Sequence, residues 1–107
     1  MAEIMVEERP DVAPLVVVTG RLGGRDSANL LDTARSIPDD VVTIDARDIG
    51  ALSPDGCEVL KYVGDQLADQ GRTVRVAYRQ GSRVERVLAE TGTLLYPTLV
   101  FTDDDTA

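Results

Sequence analysis

The segment Leu52–Cys57 carries the side chains of this chain that are best suited to chemistry or binding, a hydroxyl, a carboxylate and a thiol within five positions. Ser53 is a good helix N-cap, Pro54 suits the first helical position, and Asp55 complements the positive end of a helix dipole. Together these roles stabilise a helix by roughly 1–2 kcal/mol. Local capping therefore explains the segment unless a wider pattern gives it a function.

Cys57 is the only cysteine, and the chain has no histidine. These counts exclude an internal disulfide, a Ser/His or Cys/His catalytic pair, and the usual ligand sets of structural zinc. A thiol in the first turn of a helix can be reactive, but Cys57 also lies on an apolar stripe, which favours a small buried side chain. Its place therefore indicates packing rather than catalysis.

Asp45 and Asp48 follow a predicted strand, a common place for carboxylates that bind metal. No third ligand accompanies them, so we expect solvated or capping roles. The glycines of the segment 20–24 lack the spacing and the lysine of a P-loop and indicate a strand-to-helix turn. We therefore expect no metal, no cofactor and no enzymatic activity.

The elements that position these residues follow from the apolar period, which switches between about 2 and 3.6. The pattern predicts strand, strand, helix, strand, helix, strand, helix, strand, and thus an α/β architecture. The strands are predicted at 4–7, 15–19, 41–44, 74–78 and 98–102. The helices are predicted from a cap at Asp26 or Ser27 to Pro38, from Pro54 to Gln70, and from the capping box of Ser82 and Glu85 to Gly92.

The length of 107 residues suits one domain, with a core over about 3–103 and an acidic tail over 103–107. The net charge of −8 opposes binding to nucleic acid or to an anionic membrane surface and favours a protein partner. The longest apolar run, Leu15–Val18, is far shorter than the roughly 20 residues that cross a bilayer. Because the N-terminus is also acidic where a signal peptide is basic, we expect a cytoplasmic protein without membrane insertion.

Three stretches, in this order and spacing, resemble the STAS domain, the family of bacterial anti-sigma factor antagonists. The first, Val16–Leu22 with Ser27–Leu30, is similar to the family pattern V-x-G-x-L-D…A-x-x-L. The second, Val41–Gly56, is similar to V-x-x-D-L-S-x-V-x-F-L-D-S-S-G, and the third, Ser82–Gly92, ends like the family's L-x-x-T-G. The resemblance implies a mixed, mostly parallel sheet with an N-terminal hairpin and three to four helices packed on it.

In these antagonists the second serine of D-S-S-G is phosphorylated by a partner anti-sigma factor of the GHKL kinase type. By position, the motif falls on Ser53, Pro54, Asp55 and Gly56, so that a carboxylate occupies the phosphoacceptor position. Gly23 stands where such antagonists usually have an aspartate. The resemblance thus implies an anti-sigma factor or a related regulatory protein as partner, without a switch by serine phosphorylation at Asp55.

We expect the partner to bind a surface centred on Ser53, Pro54, Asp55, Gly56 and Cys57. Four residues are expected at its rim: Asp48, Gly23, Arg79 and Arg83.

Two alternatives remain open. A STAS module can serve as a structural subunit of a signalling or transport complex, which needs no phosphoacceptor. The run Tyr96–Phe101 also resembles the cis-proline strand of thioredoxins, although Cys57 has no Cys-x-x-Cys partner.

Overall fold

The computed structural model describes residues 1–103, which form six strands and three helices. In chain order these are β1 Ala2–Glu7, β2 Leu15–Leu22, α1 Ser27–Ser36, β3 Val41–Asp45, β4 Ile49–Leu52, α2 Pro54–Ala68, β5 Thr73–Ala77, α3 Arg83–Glu90 and β6 Leu99–Thr102. Short 3-10 turns lie at Gly24–Asp26 and Thr93–Leu95. The predicted acidic tail lies outside the described residues from position 104 onward.

The six strands form one sheet in the order β1-β2-β3-β5-β6, with β4 paired to β2. β1 and β2 are antiparallel, and every other pairing is parallel. The mixed, mostly parallel sheet with an N-terminal hairpin is therefore confirmed. β2 serves two partners along one side: Leu15–Val17 pair with β3, and Gly20–Leu22 pair with β4.

The strand β4 was not predicted from the sequence. Its four residues include Gly50 and Ala51, both exposed, and a single β-branched residue, Ile49, so no clear alternation marks it. Parallel pairing with β2 creates the strand, and Ile49 and Leu52 are buried. The correction bears on the site because β4 leads directly into Ser53.

Other boundaries differ by one to three residues, and the largest difference is at β2, which ends at Leu22 rather than Thr19. β5 ends at Ala77 rather than Tyr78, and α2 ends at Ala68 rather than Gln70. Asp26 does not cap α1 with its side chain. Its buried carboxylate instead accepts hydrogen bonds from the backbone N–H groups of Gly23, at 3.0 Å, and Ala2, at 3.2 Å.

All three helices pack on one face of the sheet. Their apolar stripes and the alternate strand residues form a single buried cluster, whose strand members include Val18, Ile44 and Val76. The side chains that alternate with these point to the opposite face, where Met5, Val41 and Val100 are exposed. Among residues 1–103 no helix is long and apolar enough to cross a membrane.

Candidate functional site

The candidate site is the start of α2, where that helix meets the end of β2. Ser53 has extended backbone angles, and its Oγ accepts a hydrogen bond from the Gly56 N–H at 3.1 Å. The same hydroxyl donates to the Leu22 carbonyl oxygen at 3.4 Å. Ser53 thus caps α2 and also ties it to β2, and the predicted N-cap is confirmed.

Gly56 allows this close approach of helix to strand. A Cβ at this position would lie 2.4 Å from the Leu22 carbonyl oxygen and 2.8 Å from a methyl of Leu52. The Leu22 oxygen is backbone and cannot move aside without shifting β2. Glycine is therefore required here for packing, and its place in the motif has a structural cause.

Asp55 lies in the first turn of α2 with its side chain exposed, and Pro54 beside it is also exposed. Cys57, in contrast, is fully buried, and Gly56 is buried too. The structure thus leaves Pro54 and Asp55 accessible to a partner and places Gly56 and Cys57 beneath them; that this segment binds a partner stays a prediction. Burial of the thiol also leaves a redox function of the thioredoxin kind without an accessible sulfur.

Gly23 lies beside Ser53, as the resemblance implied. A Cβ on Gly23 would come 4.0 Å from the Ser53 Oγ and would meet no other heavy atom within that distance. Because the backbone of Gly23 is extended, with φ of −146°, a larger side chain would be tolerated. The site thus has room for an aspartate that this chain lacks.

A shallow cavity of about 270 Å³ opens between the start of α2 and the turn that precedes α1. Its walls include Asp55, Glu58 and Tyr62 from α2 and Gly24 and Ser27 from the opposite side. Sequence reasoning missed Glu58 and Tyr62, although their spacing of three and seven residues from Asp55 places all three on one helix face. That face presents two carboxylates and an aromatic ring.

A second cavity of about 320 Å³ lies between β4 and α3, on the other side of Leu52. Arg83 and Ser82 line it together with Arg47. The other two predicted rim residues form a salt bridge, with Arg79 Nη2 3.2 Å from Asp48 Oδ1, and both side chains are largely exposed. The structure thus brings Arg79 and Asp48 together and places Arg83 in a separate groove.

Asp45, expected to be solvated or to act as a cap, is buried and paired. Arg47 donates to both carboxylate oxygens, Nε to Oδ1 at 2.9 Å and Nη2 to Oδ2 at 3.0 Å, and its backbone N–H also binds Oδ1. Burial alone would raise the pKa of Asp45, but the hydrogen bonds and charge of Arg47, with the charge of Arg79, hold this pKa below its ordinary value of 3.8. Asp45 is therefore an ionised structural carboxylate. Within residues 1–103 no three potential metal ligands cluster.

No protein-family model matches this chain, and no curated protein does either. Among solved structures, the chain is similar to the crystal structure of a protein of the DUF3478 family with a SpoIIAA-like fold from Shewanella loihica PV-4. The TM-score is 0.54 at 18% identity, and the alignment covers 98% of this chain and 88% of that chain. The SpoIIAA-like fold is that of STAS domains and anti-sigma factor antagonists, so the expected fold is confirmed. At this identity the likeness extends to the fold alone.

Proposed function

We propose that this chain is a STAS-type module that binds an anti-sigma factor of the GHKL kinase class, or a related regulatory protein. Binding of the anti-sigma factor would free a sigma factor and so regulate transcription. The observation that carries the proposal is the exposed carboxylate of Asp55 at the phosphoacceptor position, on a helix start fixed by Ser53 and Gly56. A carboxylate cannot be phosphorylated by a serine kinase, so binding is not switched there.

The neighbouring serine does not replace the missing phosphoacceptor. The Ser53 hydroxyl accepts from the Gly56 N–H and donates to the Leu22 carbonyl, and the residue is only partly exposed. Phosphorylation would remove the hydroxyl proton that Ser53 donates to the Leu22 carbonyl and would place a charged group where helix and strand touch. We therefore expect Ser53 to remain unmodified.

The chemistry of the surface indicates the kind of partner patch that fits. Asp55 and Glu58 carry negative charge, and Tyr62, 44% exposed, adds an aromatic ring on the same helix face. A partner surface with basic side chains matches this face in charge, and a guanidinium can also stack on tyrosine. Since a carboxylate carries about one charge against about −1.5 to −2 for a phosphoserine, Asp55 imitates a phosphorylated state only in part.

The test is calorimetric titration of the chain with purified GHKL-type anti-sigma factors from the same cell. We expect binding, a change of about threefold or less for Asp55→Ala, and about tenfold weaker binding for Glu58→Lys. Asp69→Lys, a charge reversal at another exposed acid, just after the other end of α2, is the matched control and should change little. Absence of binding to every such kinase would contradict the proposal.

A second experiment rebuilds the switch. Asp55→Ser, alone and with Gly23→Asp, should restore an acceptor hydroxyl at the exposed position, and the space beside Ser53 admits the aspartate. Incubation with the binding kinase and ATP should then add one phosphate, detected by intact mass, and weaken binding. The native chain should stay unmodified; a phosphate on its Ser53 would overturn the claim that binding is not switched at this site.

The alternative, a structural subunit of a signalling or transport complex, predicts a different partner for the same surface. Affinity capture from the native cell distinguishes the two, because the first recovers an anti-sigma factor and the second recovers other components of the complex, such as an ATPase.

A further inference from the structure

The groove of about 320 Å³ between β4 and α3 contains an unpaired strand edge. β4 pairs with β2 along one side, and among residues 1–103 no strand pairs with its other side. β5, which pairs with β3, ends at Ala77 before it could continue beside β4, and the Tyr78 N–H donates instead to the Thr102 carbonyl oxygen of β6 at 3.0 Å. Gly50 and Ala51 line the groove and are exposed, so small side chains leave this backbone edge accessible.

The other wall of the groove is the start of α3. Arg83, Val84 and Val87 line it; Arg83 is exposed, Val84 is buried and Val87 is half-buried. Arg83 and Val87 lie four residues apart and therefore on the same helix face, about 6 Å apart along the axis. Because α3 connects the parallel strands β5 and β6, it runs back along the sheet, so this pair is spaced roughly along the direction of β4.

Arg83 gives the groove an unpaired positive charge. It forms no salt bridge with any residue of the described range 1–103. Arg47, which also lines the groove, is paired with Asp45, and the acid of the same turn of α3, Glu85, accepts from the Gly81 N–H at 2.9 Å. No acid lines this groove, although the whole chain has a net charge of −8, so the groove is suited to a ligand that carries a carboxylate.

We propose that this groove binds an extended segment of another protein, which adds to the free side of β4 as a further strand. The segment carries an acidic side chain and an apolar one two positions apart. Such positions lie on the same side of a strand about 6.5–7 Å apart, close to the spacing of Arg83 and Val87. The carboxylate meets Arg83, the apolar side chain packs on Val87, and backbone hydrogen bonds to β4 hold the segment in place.

The groove is separate from the α2 surface of the proposed function. Leu52 lies between them, and the two surfaces differ in the sign of their charge, since Asp55 and Glu58 line the other one. A segment that fits the groove is therefore repelled by the acidic face of α2. The inference does not depend on the identity of the partner that binds there.

The test is an NMR titration of the ¹⁵N-labelled chain with the synthetic peptide acetyl-TVTETS-amide, in which valine and glutamate lie two positions apart. We expect amide shifts confined to Gly50, Ala51 and the start of α3, with a dissociation constant of about 1 mM or below. The same peptide with lysine in place of glutamate should bind about fivefold more weakly. No shifts at about 5 mM peptide, or shifts centred on Asp55 and Glu58, would overturn the proposal.

A charge reversal on the protein supplies the second arm. Arg83→Glu should reverse the preference, so that the lysine peptide binds about fivefold more tightly than the glutamate peptide. Because Arg83 is exposed and an acid is favourable in the first turn of a helix, this variant should fold, which circular dichroism verifies. Arg86→Glu, an exposed reversal on α3 outside the lining of the groove, is the matched control. An Arg83→Glu chain that keeps the native preference would overturn the proposal.

N-methylated peptides distinguish strand addition from contact through side chains alone. The N–H groups of a strand point alternately to its two edges, so methylation of the valine and glutamate amides and methylation of the threonine amides block opposite edges. One of the two patterns should abolish binding in the same titration, while the other leaves the dissociation constant within about threefold of the unmodified peptide. Equal effects of the two patterns would overturn the addition of a strand to β4.

Discussion

The starts of α2 and α3 use the same local device in different surroundings. Ser53 and Ser82 each accept a hydrogen bond from the third residue of their helix, both at 3.1 Å, and each hydroxyl donates to a backbone carbonyl. For Ser82 that carbonyl belongs to Arg79, in the same turn, whereas for Ser53 it belongs to Leu22 on another strand. The same capping hydrogen bonds thus keep the start of α3 within its own turn and tie the start of α2 to β2.

Gly81 and Gly56 also show that the start of α3 depends on its own turn, whereas the start of α2 depends on its contact with β2. Gly81, before α3, has a positive φ of 79° and no atom near a Cβ position, so it serves the turn. Gly56, in α2, is needed because the Leu22 carbonyl lies where a Cβ would be. A helix start held this firmly can present Asp55 in a fixed position, which a recognition surface requires.

Gly56→Ala should have the largest effect, because its Cβ would lie 2.4 Å from a backbone oxygen. We expect a loss of about 3 kcal/mol or more in the free energy of unfolding, measured with urea. Gly24→Ala is the control, since no atom lies within 4 Å of its Cβ position, and it should cost about 0.5 kcal/mol or less. Equal losses for the two variants would contradict the close contact between α2 and β2.

Asp45, at the end of β3, should rank second. Asp45→Asn removes an ionised acceptor of three hydrogen bonds from Arg47 and should cost about 2 kcal/mol. Because the folded-state pKa lies below 3.8, the contribution is complete above that value and is lost as the pH falls through the folded-state pKa. Urea titrations from pH 6 to 2 should show the wild type and the variant converging at low pH; parallel curves would argue against the pair.

Replacing either capping serine should lower the free energy of unfolding by a similar amount, but the two replacements should affect different parts of the structure. Ser53→Ala and Ser82→Ala should each cost about 1 kcal/mol. Hydrogen exchange should show general loss of protection for Ser53→Ala, because α2 is tied to β2, and loss confined to the first turn of α3 for Ser82→Ala. Local fraying in both variants would remove the distinction between the two starts.

The salt bridge between Asp48 and Arg79 joins the turn before β4 to the loop before α3, and its effect should be the smallest. With side chains 63% and 52% exposed, its coupling energy in a double-mutant cycle of Asp48→Asn and Arg79→Gln should be about 0.5 kcal/mol or less. A coupling above about 1 kcal/mol would show that the two starts are linked more tightly than this surface contact allows.

What the sequence could predict was local. Ser53, Pro54 and Ser82 are short-range signals, and all lie where expected. Glu85, predicted to complete a capping box, instead accepts a hydrogen bond from the Gly81 N–H at 2.9 Å. β4 depends on pairing with β2, and the need for glycine at position 56 depends on Leu22, which is distant in the chain. Because these contacts join residues that are distant in the chain, local sequence patterns do not reveal them.

The same limit applies to charged residues. Asp26 suits a helix cap, yet its carboxylate is used by the backbone of Ala2 and Gly23. Asp45 was expected to be solvated or to act as a cap, whereas the turn after β3 brings the guanidinium of Arg47, two residues on, against its carboxylate. In the candidate site, the exposed face of Asp55, Glu58 and Tyr62 could have been predicted from helical spacing.

The bond from Ala2 to Asp26 has a practical consequence for any binding experiment. Asp26 also holds Gly23, whose neighbour is the Ser53 hydroxyl, so the first strand begins beside the candidate surface. An affinity tag or fluorophore placed ahead of Ala2 would emerge at this loop and compete with a partner for space. A label on the exposed turn Asp69–Gly71, about 22 Å away along α2, avoids that interference.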